Sequence, residues 1–204
     1  MTAEAQAWIG EVTHARAVRI GERIQSLWSG YGEVRRIHLI DGPSGAVVLK
    51  WVAPPSSIGH PRGWDTARSH ARKLRSYAVE MAWWQRYAPQ CNEACRVPRC
   101  FGAREQDGDW LFVLEDLDEA GLSERRSSLS PAELSACLRW LAAFHARFMG
   151  QPPAELWPIG TYWHLDTRPD ELAAIADDAL VRAAPRFDRL LNEARSDQDT
   201  EHRL

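Results

Sequence analysis

The sequence predicts an α+β fold: a small antiparallel sheet and one long helix come first, and further helices follow. Three observations predict it. Short runs rich in β-branched and large apolar residues, RIQSLWSG, EVRRIHLI and GAVVLKWV, are separated by the turn-forming SGYGE and DGPSG. A helical stretch without Gly or Pro, DTARSHARKLRSYAVEMAWWQRY, fills residues 65–87. Strands and helices then follow in blocks and do not alternate as a βαβ series would.

Taken in order, residues 3–14 form a short amphipathic helix carrying Trp8, Ile9 and Val12. The three β-rich runs make an antiparallel meander over about residues 22–53, with Gly, Asp, Pro and Ser at its breaks. PPSSIGHPRG is a loop, since it is rich in Pro and Gly and has no period. Asp65 or Thr66 caps the long helix, and Pro89 supplies its stop. VPRCFGA and DWLFVLEDL, joined by the turn REQDGD, add two strands for a total of five. Ser130 caps a second strong helix, with Pro131 in its first turn and Gly150 at its end. Residues 151–163 form an aromatic loop, and 169–195 form one or two helices on Leu172, Ile175, Leu180, Phe187, Leu190 and Leu191. The polar end, SDQDTEHRL, is expected to fray.

Bulk properties exclude several function classes. The 204 residues are 45% hydrophobic and 26% charged, ordinary for a globular protein with a core. A formal charge of −3 gives no electrostatic case for a nucleic-acid partner. No stretch approaches the roughly 18 uncharged apolar residues that span a bilayer, so no membrane partner is expected. The start, MTAEAQAWIGEV, lacks a basic segment followed by an apolar one, and the expected compartment is the cytoplasm. Cys91, Cys95, Cys100 and Cys137 are too few and too clustered for a secreted disulfide framework. Ten tryptophans demand a core, a pocket or an interface. Of the 25 basic residues only Lys50 and Lys73 are lysines, which marks them as positions where a compact ammonium does what a planar guanidinium cannot.

Lys50 stands in the apolar run VVLKWV. Strand alternation gives it one face with Val48 and Val52, so it either lines a cleft or snorkels to water from the outer face of a sheet. Lys73, Tyr77, Glu80 and Trp84 share one stripe of the long helix. A carboxylate buried there needs a cation, and Lys50 on the preceding strand is the candidate; alternatively Glu80 reaches water at the edge of the packed face. Gly30 and Gly32 in SGYGE suit a turn whose amides approach phosphate oxygens, and they equally suit any hairpin. Glu115 and Asp116 after the strand FVL mark either a solvated loop or a ligand-side segment between two lobes. Cys91, Cys95 and Cys100 have zinc-compatible spacing, with His60 or His70 as a fourth ligand, but no second paired knuckle exists; incidental thiols are the default, and no metal site is assigned.

The glycine turn, strand lysine, helix glutamate and EDL segment occur in the order of a kinase N-terminal lobe. The phrases LWSGYGEV, HPRGWDTARSHARKLRSYAVE, FVLEDLDEAGL, WLAAFHARFM and GTYWHLDTRPDE sharpen this. From about residue 20 to about 192 the chain resembles the ecdysteroid kinase-like branch of the choline kinase and aminoglycoside phosphotransferase superfamily. The resemblance implies a kinase-like N-lobe with its N-terminal helix over residues 1–117, a partial helical C-lobe over 118–195 and a tail over 196–204. It implies that Lys50 contacts the α- and β-phosphates of ATP, that Glu80 positions Lys50, and that Gly30 and Gly32 lie over the phosphates. The segment Leu114 to Leu117, with Glu115 and Asp116, is similar to the hinge whose backbone contacts adenine. ATP, Mg2+ and a small-molecule hydroxyl acceptor are the cofactors and partners of such a family.

The departure from the family pattern concerns the chemistry. Relatives carry an H-G-D-x-x-x-x-N catalytic loop followed by an acidic metal-binding motif, and neither occurs in these residues. The look-alike His164-Leu165-Asp166 has Glu171 where Asn would stand, and in relatives this phrase precedes the catalytic loop. The expected reading is therefore a truncated family member, inactive alone, with no catalytic residue of its own. The alternative is a non-catalytic nucleotide-binding or interaction module. The helix after Ser130 would leave apolar surface exposed, which predicts self-association.

Overall fold

The computed structural model describes residues 1–27, 30–54 and 67–160, together with 181, 182 and 184–189. Helix α1 (Ala3–Thr13) leads into β1 (Ala17–Ser26), β2 (Gly32–Ile40) and β3 (Ala46–Val52). Helix α2 (Ala67–Ala82) follows, then β4 (Cys100–Gln106), β5 (Asp109–Glu115) and α3 (Pro131–Phe148). The five strands form one antiparallel sheet in the order β1-β2-β3-β5-β4. The fold is thus α+β, with β3 in the middle of the sheet. The chain divides into two compact units, Met1–Leu156 and Trp157–Leu204. In the second unit residues 181, 182 and 184–189 are helical; the rest of the helices expected over 169–195, and the tail expected to fray, lie outside the described residues. Among the described residues no helix is long and apolar enough to cross a membrane.

Helix α1 starts where the Thr2 hydroxyl accepts a hydrogen bond from the Ala5 amide at 3.1 Å, and it ends where His14 turns left-handed at φ 55°. It lays Ala5 and Ile9 on Ile37, Leu39, Val47, Leu49, Leu111 and Val113, and this is the core of one sheet face. Complete burial of Ile9 contributes about 1.5–3 kcal/mol. Strand β1 begins at Ala17, ahead of the apolar run that marks it in the sequence. It is an edge strand and mostly exposed, so its residues carry no alternating pattern to read.

The opposite face carries Lys50, which pairs in register with Val34 on β2 and Phe112 on β5. Helix α2 covers this face: Tyr77 lies on Trp110 with ring centroids 5.8 Å apart, and Glu80 reaches Lys50. The regular α-helix stops at Ala82, earlier than Pro89 alone would demand. Trp83–Tyr87 widens into a π-turn and Ala88–Gln90 tightens into a 3-10 turn, so the chain changes pitch before the proline.

Helix α3 has a full capping box. The Glu133 amide donates to the Ser130 hydroxyl at 3.3 Å and the Ser130 amide donates to the Glu133 carboxylate at 2.8 Å, with Pro131 in the first turn. Phe144 and Phe148 pack against Trp83, tilted and edge-on, with centroids 5.5 and 5.4 Å away, and the Trp140 indole donates to the Arg96 carbonyl at 2.8 Å. The helix is otherwise little buried: Leu134 and Leu138 are 49% and 55% exposed.

The two glycines of the β1–β2 turn have different reasons to be glycine. Gly32 has φ +130°, and a Cβ there would stand 2.1 Å from the Trp51 carbonyl oxygen, inside the β2–β3 pairing. Gly30 has φ +71°, and no atom of the described residues lies within 4 Å of the same hypothetical atom. Urea unfolding should separate them. Gly30→Ala is expected to cost only the left-handed penalty, about 1 kcal/mol, whereas Gly32→Ala should cost about 3 kcal/mol or more because backbone must move. Equal losses at the two positions would contradict this assignment.

Candidate functional site

Lys50 projects from the middle strand onto a face of apolar and aromatic groups. Val52 and Phe112 beside it are fully buried. Its ammonium lies 5.5 Å from the Tyr77 ring centroid and 5.6 Å from that of Phe112, close enough for cation–π attraction. The ammonium donates to the Glu80 carboxylate at 2.5 Å, and the side chains are 21% and 26% exposed. A charge-assisted bond in that half-shielded setting is worth about 1.5–3 kcal/mol. The helix stripe noted in the sequence is what aims Glu80: Tyr77 one turn earlier packs on Trp110 and fixes the rotation of α2 over the sheet.

The glycine turn meets the same helix through Tyr31. That ring is buried; its hydroxyl is 2.6 Å from His70 Nδ1, and its ring centroid is 6.3 Å from that of Tyr77. The Lys73 ammonium sits 4.2 Å from the centre of the Tyr31 ring. Both lysines of the chain therefore border one aromatic cluster, Tyr31, Tyr77, Trp110 and Phe112, beside the turn that carries Gly30 and Gly32. The sequence places Tyr77 on the stripe and offers His70 only as a zinc ligand, and it does not single out Tyr31 or Trp110. Their aromatic character was visible, but their meeting depends on strand register and on where the helix crosses.

Glu115 ends β5, and Asp116 and Leu117 follow it. The Glu115 carboxylate takes the Arg96 guanidinium at 2.7 Å and the Arg99 amide at 3.0 Å. Asp116 has only 2% of its side chain exposed and takes Arg36 Nε at 2.5 Å. Neither carboxylate belongs to a freely solvated loop. Asp118, two residues on, is held below the usual aspartate range by Arg125 first and Arg36 second. The Leu117 carbonyl accepts the Leu122 amide at 2.8 Å, closing a turn behind the segment.

The third cluster of interest, the cysteines, does not assemble with the site. Burial pushes the Cys100 thiol up to about 11, and burial together with neighbouring Cys95 raises that of Cys91. Among the described residues no group of three or more His, Cys, Asp or Glu could hold a metal ion. His60 and the phrase His164-Leu165-Asp166 lie outside the described residues, and His70 is engaged with Tyr31. A groove of about 370 Å³ lined by Trp84, Cys91, Arg96 and Glu115, among others, touches neither Lys50 nor Glu80.

The structure thus joins Lys50 to Glu80 on the sheet face covered by α2. It sets Gly30 and Gly32 at the end of the strand beside β3, and it ties the acidic segment to the sheet. No curated protein matches the chain. Residues 60–149, which run through α2 with Glu80, strands β4 and β5, the acidic segment and α3, match the ecdysteroid kinase-like family, part of the kinase-like superfamily.

Proposed function

We propose that this chain is the nucleotide-binding front of an ATP-dependent small-molecule phosphotransferase, with a kinase-like N-lobe formed by the sheet and α2. The observation that carries the reading is the Lys50–Glu80 bond at 2.5 Å between the middle strand and the covering helix. An ammonium held by one carboxylate keeps its remaining N–H donors for phosphate oxygens, and Glu80 holds it in place for them. Gly30, whose missing side chain leaves open space, lets the turn's backbone approach the phosphates, while Gly32 shapes the turn. The backbone of Leu114 to Leu117 would take the adenine edge. ATP, when bound, supplies the γ-phosphoryl group destined for a hydroxyl acceptor.

Mg2+ would be needed for transfer, and among the described residues no group of three or more His, Cys, Asp or Glu could hold it. The 204 residues also contain no H-G-D-x-x-x-x-N sequence. Their own work is binding and orientation, and the chain by itself is expected to hold nucleotide without transferring phosphate. Calorimetric titration with ATP tests this. Micromolar binding is expected, weakened about tenfold or more in Lys50→Met, the equivalent of one lost charge-assisted contact. Absence of binding, or equal binding by the variant, would contradict the reading.

A second reading, a protein-interaction module, is favoured by one observation: Leu134, Leu138 and Leu141 form an exposed apolar stripe on α3. On that reading a second copy of the chain covers the stripe. Light scattering should then give a dimer or larger species that Leu134→Glu/Leu138→Glu converts to monomer. A monodisperse wild-type monomer at high concentration would contradict it.

A further inference from the structure

The run Glu115-Asp116-Leu117-Asp118-Glu119 has four acids in five residues, and all four are hydrogen-bonded to the sheet lobe. Glu115 goes to Arg96 and the Arg99 amide. Asp116 and Asp118 converge on one guanidinium, that of Arg36 on β2. Its Nε donates to Asp116 Oδ2 at 2.5 Å, and one terminal nitrogen donates to Asp116 Oδ1 at 3.3 Å and to Asp118 Oδ2 at 2.6 Å. Its other terminal nitrogen donates to Glu22 on β1 at 2.5 Å. Glu119 accepts the Ala46 amide at the start of β3 at 2.9 Å.

Arg36 therefore sits at the centre of a clasp. A guanidinium offers five donors in a rigid plane, so one side chain can fix two carboxylates on the same segment at once. Asp116 is buried and also accepts the Asp118 amide at 3.0 Å, so the fork fixes backbone as well as side chains. The segment's own turns complete the hold: the Ala120 and Gly121 amides donate to the Asp116 and Asp118 carbonyls at 3.1 and 3.2 Å. Arg36 shares a sheet face with Lys50, since it pairs with Val48, two residues before Lys50 on the neighbouring strand. The same face thus carries the cation proposed for the phosphates and the cation that holds the segment proposed for the base.

We propose that Arg36 is a positioning residue: it holds the backbone of residues 115–118 in the path that adenine recognition uses, and so sets affinity for the base while leaving the phosphate contacts alone. This rests on the nucleotide-binding reading above. It follows that the two parts of the nucleotide report on different residues. Lys50 governs what the phosphates contribute, and Arg36 governs what the base adds. A lysine at position 36 can neutralise one carboxylate but cannot span both, and should restore part of the effect.

The test compares ATP with inorganic triphosphate as ligands for the full chain, wild type against Arg36→Met, Arg36→Lys and Asp118→Asn. Amide exchange over residues 115–122 is measured alongside. Arg36→Met should bind ATP about tenfold more weakly and bind triphosphate as wild type does, with Arg36→Lys between them. Exchange should quicken over 115–122 and stay unchanged in β3 and α2. Should Arg36→Met fail to fold, Asp118→Asn, which keeps the Asp116 bond, is expected to show the same selectivity in smaller measure. Equal binding of ATP by the folded variants, or parallel losses for ATP and triphosphate, would overturn the proposal while leaving nucleotide binding intact. A wild-type chain that binds neither ligand would overturn the nucleotide reading and this proposal together. A wild-type chain that binds both equally would overturn the role for the base alone.

Discussion

A lysine on the middle strand and a glutamate on the helix laid across it meet at 2.5 Å, on a sheet face where Val52, Phe112 and the rings of Tyr77 and Trp110 surround them. An isolated charge at either position would be costly, because the surrounding groups offer little solvation. Each charge is tolerable because the other is there, and the pair fixes where α2 crosses the sheet. Tyr77 on Trp110 sets the rotation of the helix, and Tyr31 bonded to His70 brings the glycine turn to the same helix. Sheet, helix and turn therefore converge on Lys50, the one cation in the middle of the apolar run.

The other half of the sheet lobe is organised by the same logic with the sign reversed. Four acids at the end of β5 and just beyond it would repel one another if left side by side without partners. Instead every one of them accepts from a donor, and Arg36 serves two of them. On the opposite face α1 seals the core with Ile9 and Ala5, and the Arg104 guanidinium lies 4.4 Å over the ring of Trp8.

Much of this was legible in the sequence. The five strands, the long helix and the capped helix after Ser130 follow from period, turn residues and caps, which are local signals. The Lys50–Glu80 pair could be anticipated because a valine-flanked lysine and a glutamate on an apolar stripe each lack a partner nearby in sequence. The start of β1 was not legible, since an exposed edge strand has no reason to alternate. Arg36 was missed for another reason: in EVRRIHLI it looks like any outward-facing arginine, and only the register with Val48 puts it on the face of Lys50. Likewise Glu115 and Asp116 read equally well as a solvated loop until their arginine partners, 19 and 80 residues distant, are placed. Gly32 was readable as a glycine the ligand needs, whereas the strand pairing at Trp51 already requires it.

In the proposed nucleotide complex Lys50 faces the phosphates. An acyl phosphate of ATP tests it directly: a lysine amine near the terminal phosphate attacks the acyl carbon, an amide forms, and ATP departs as the leaving group. With Lys50 and Lys73 the only lysines in the chain, peptide mapping gives an unambiguous answer. Acylation is expected at Lys50, and excess ATP should suppress it. Labelling absent from Lys50, or labelling there that ATP leaves unchanged, would contradict it.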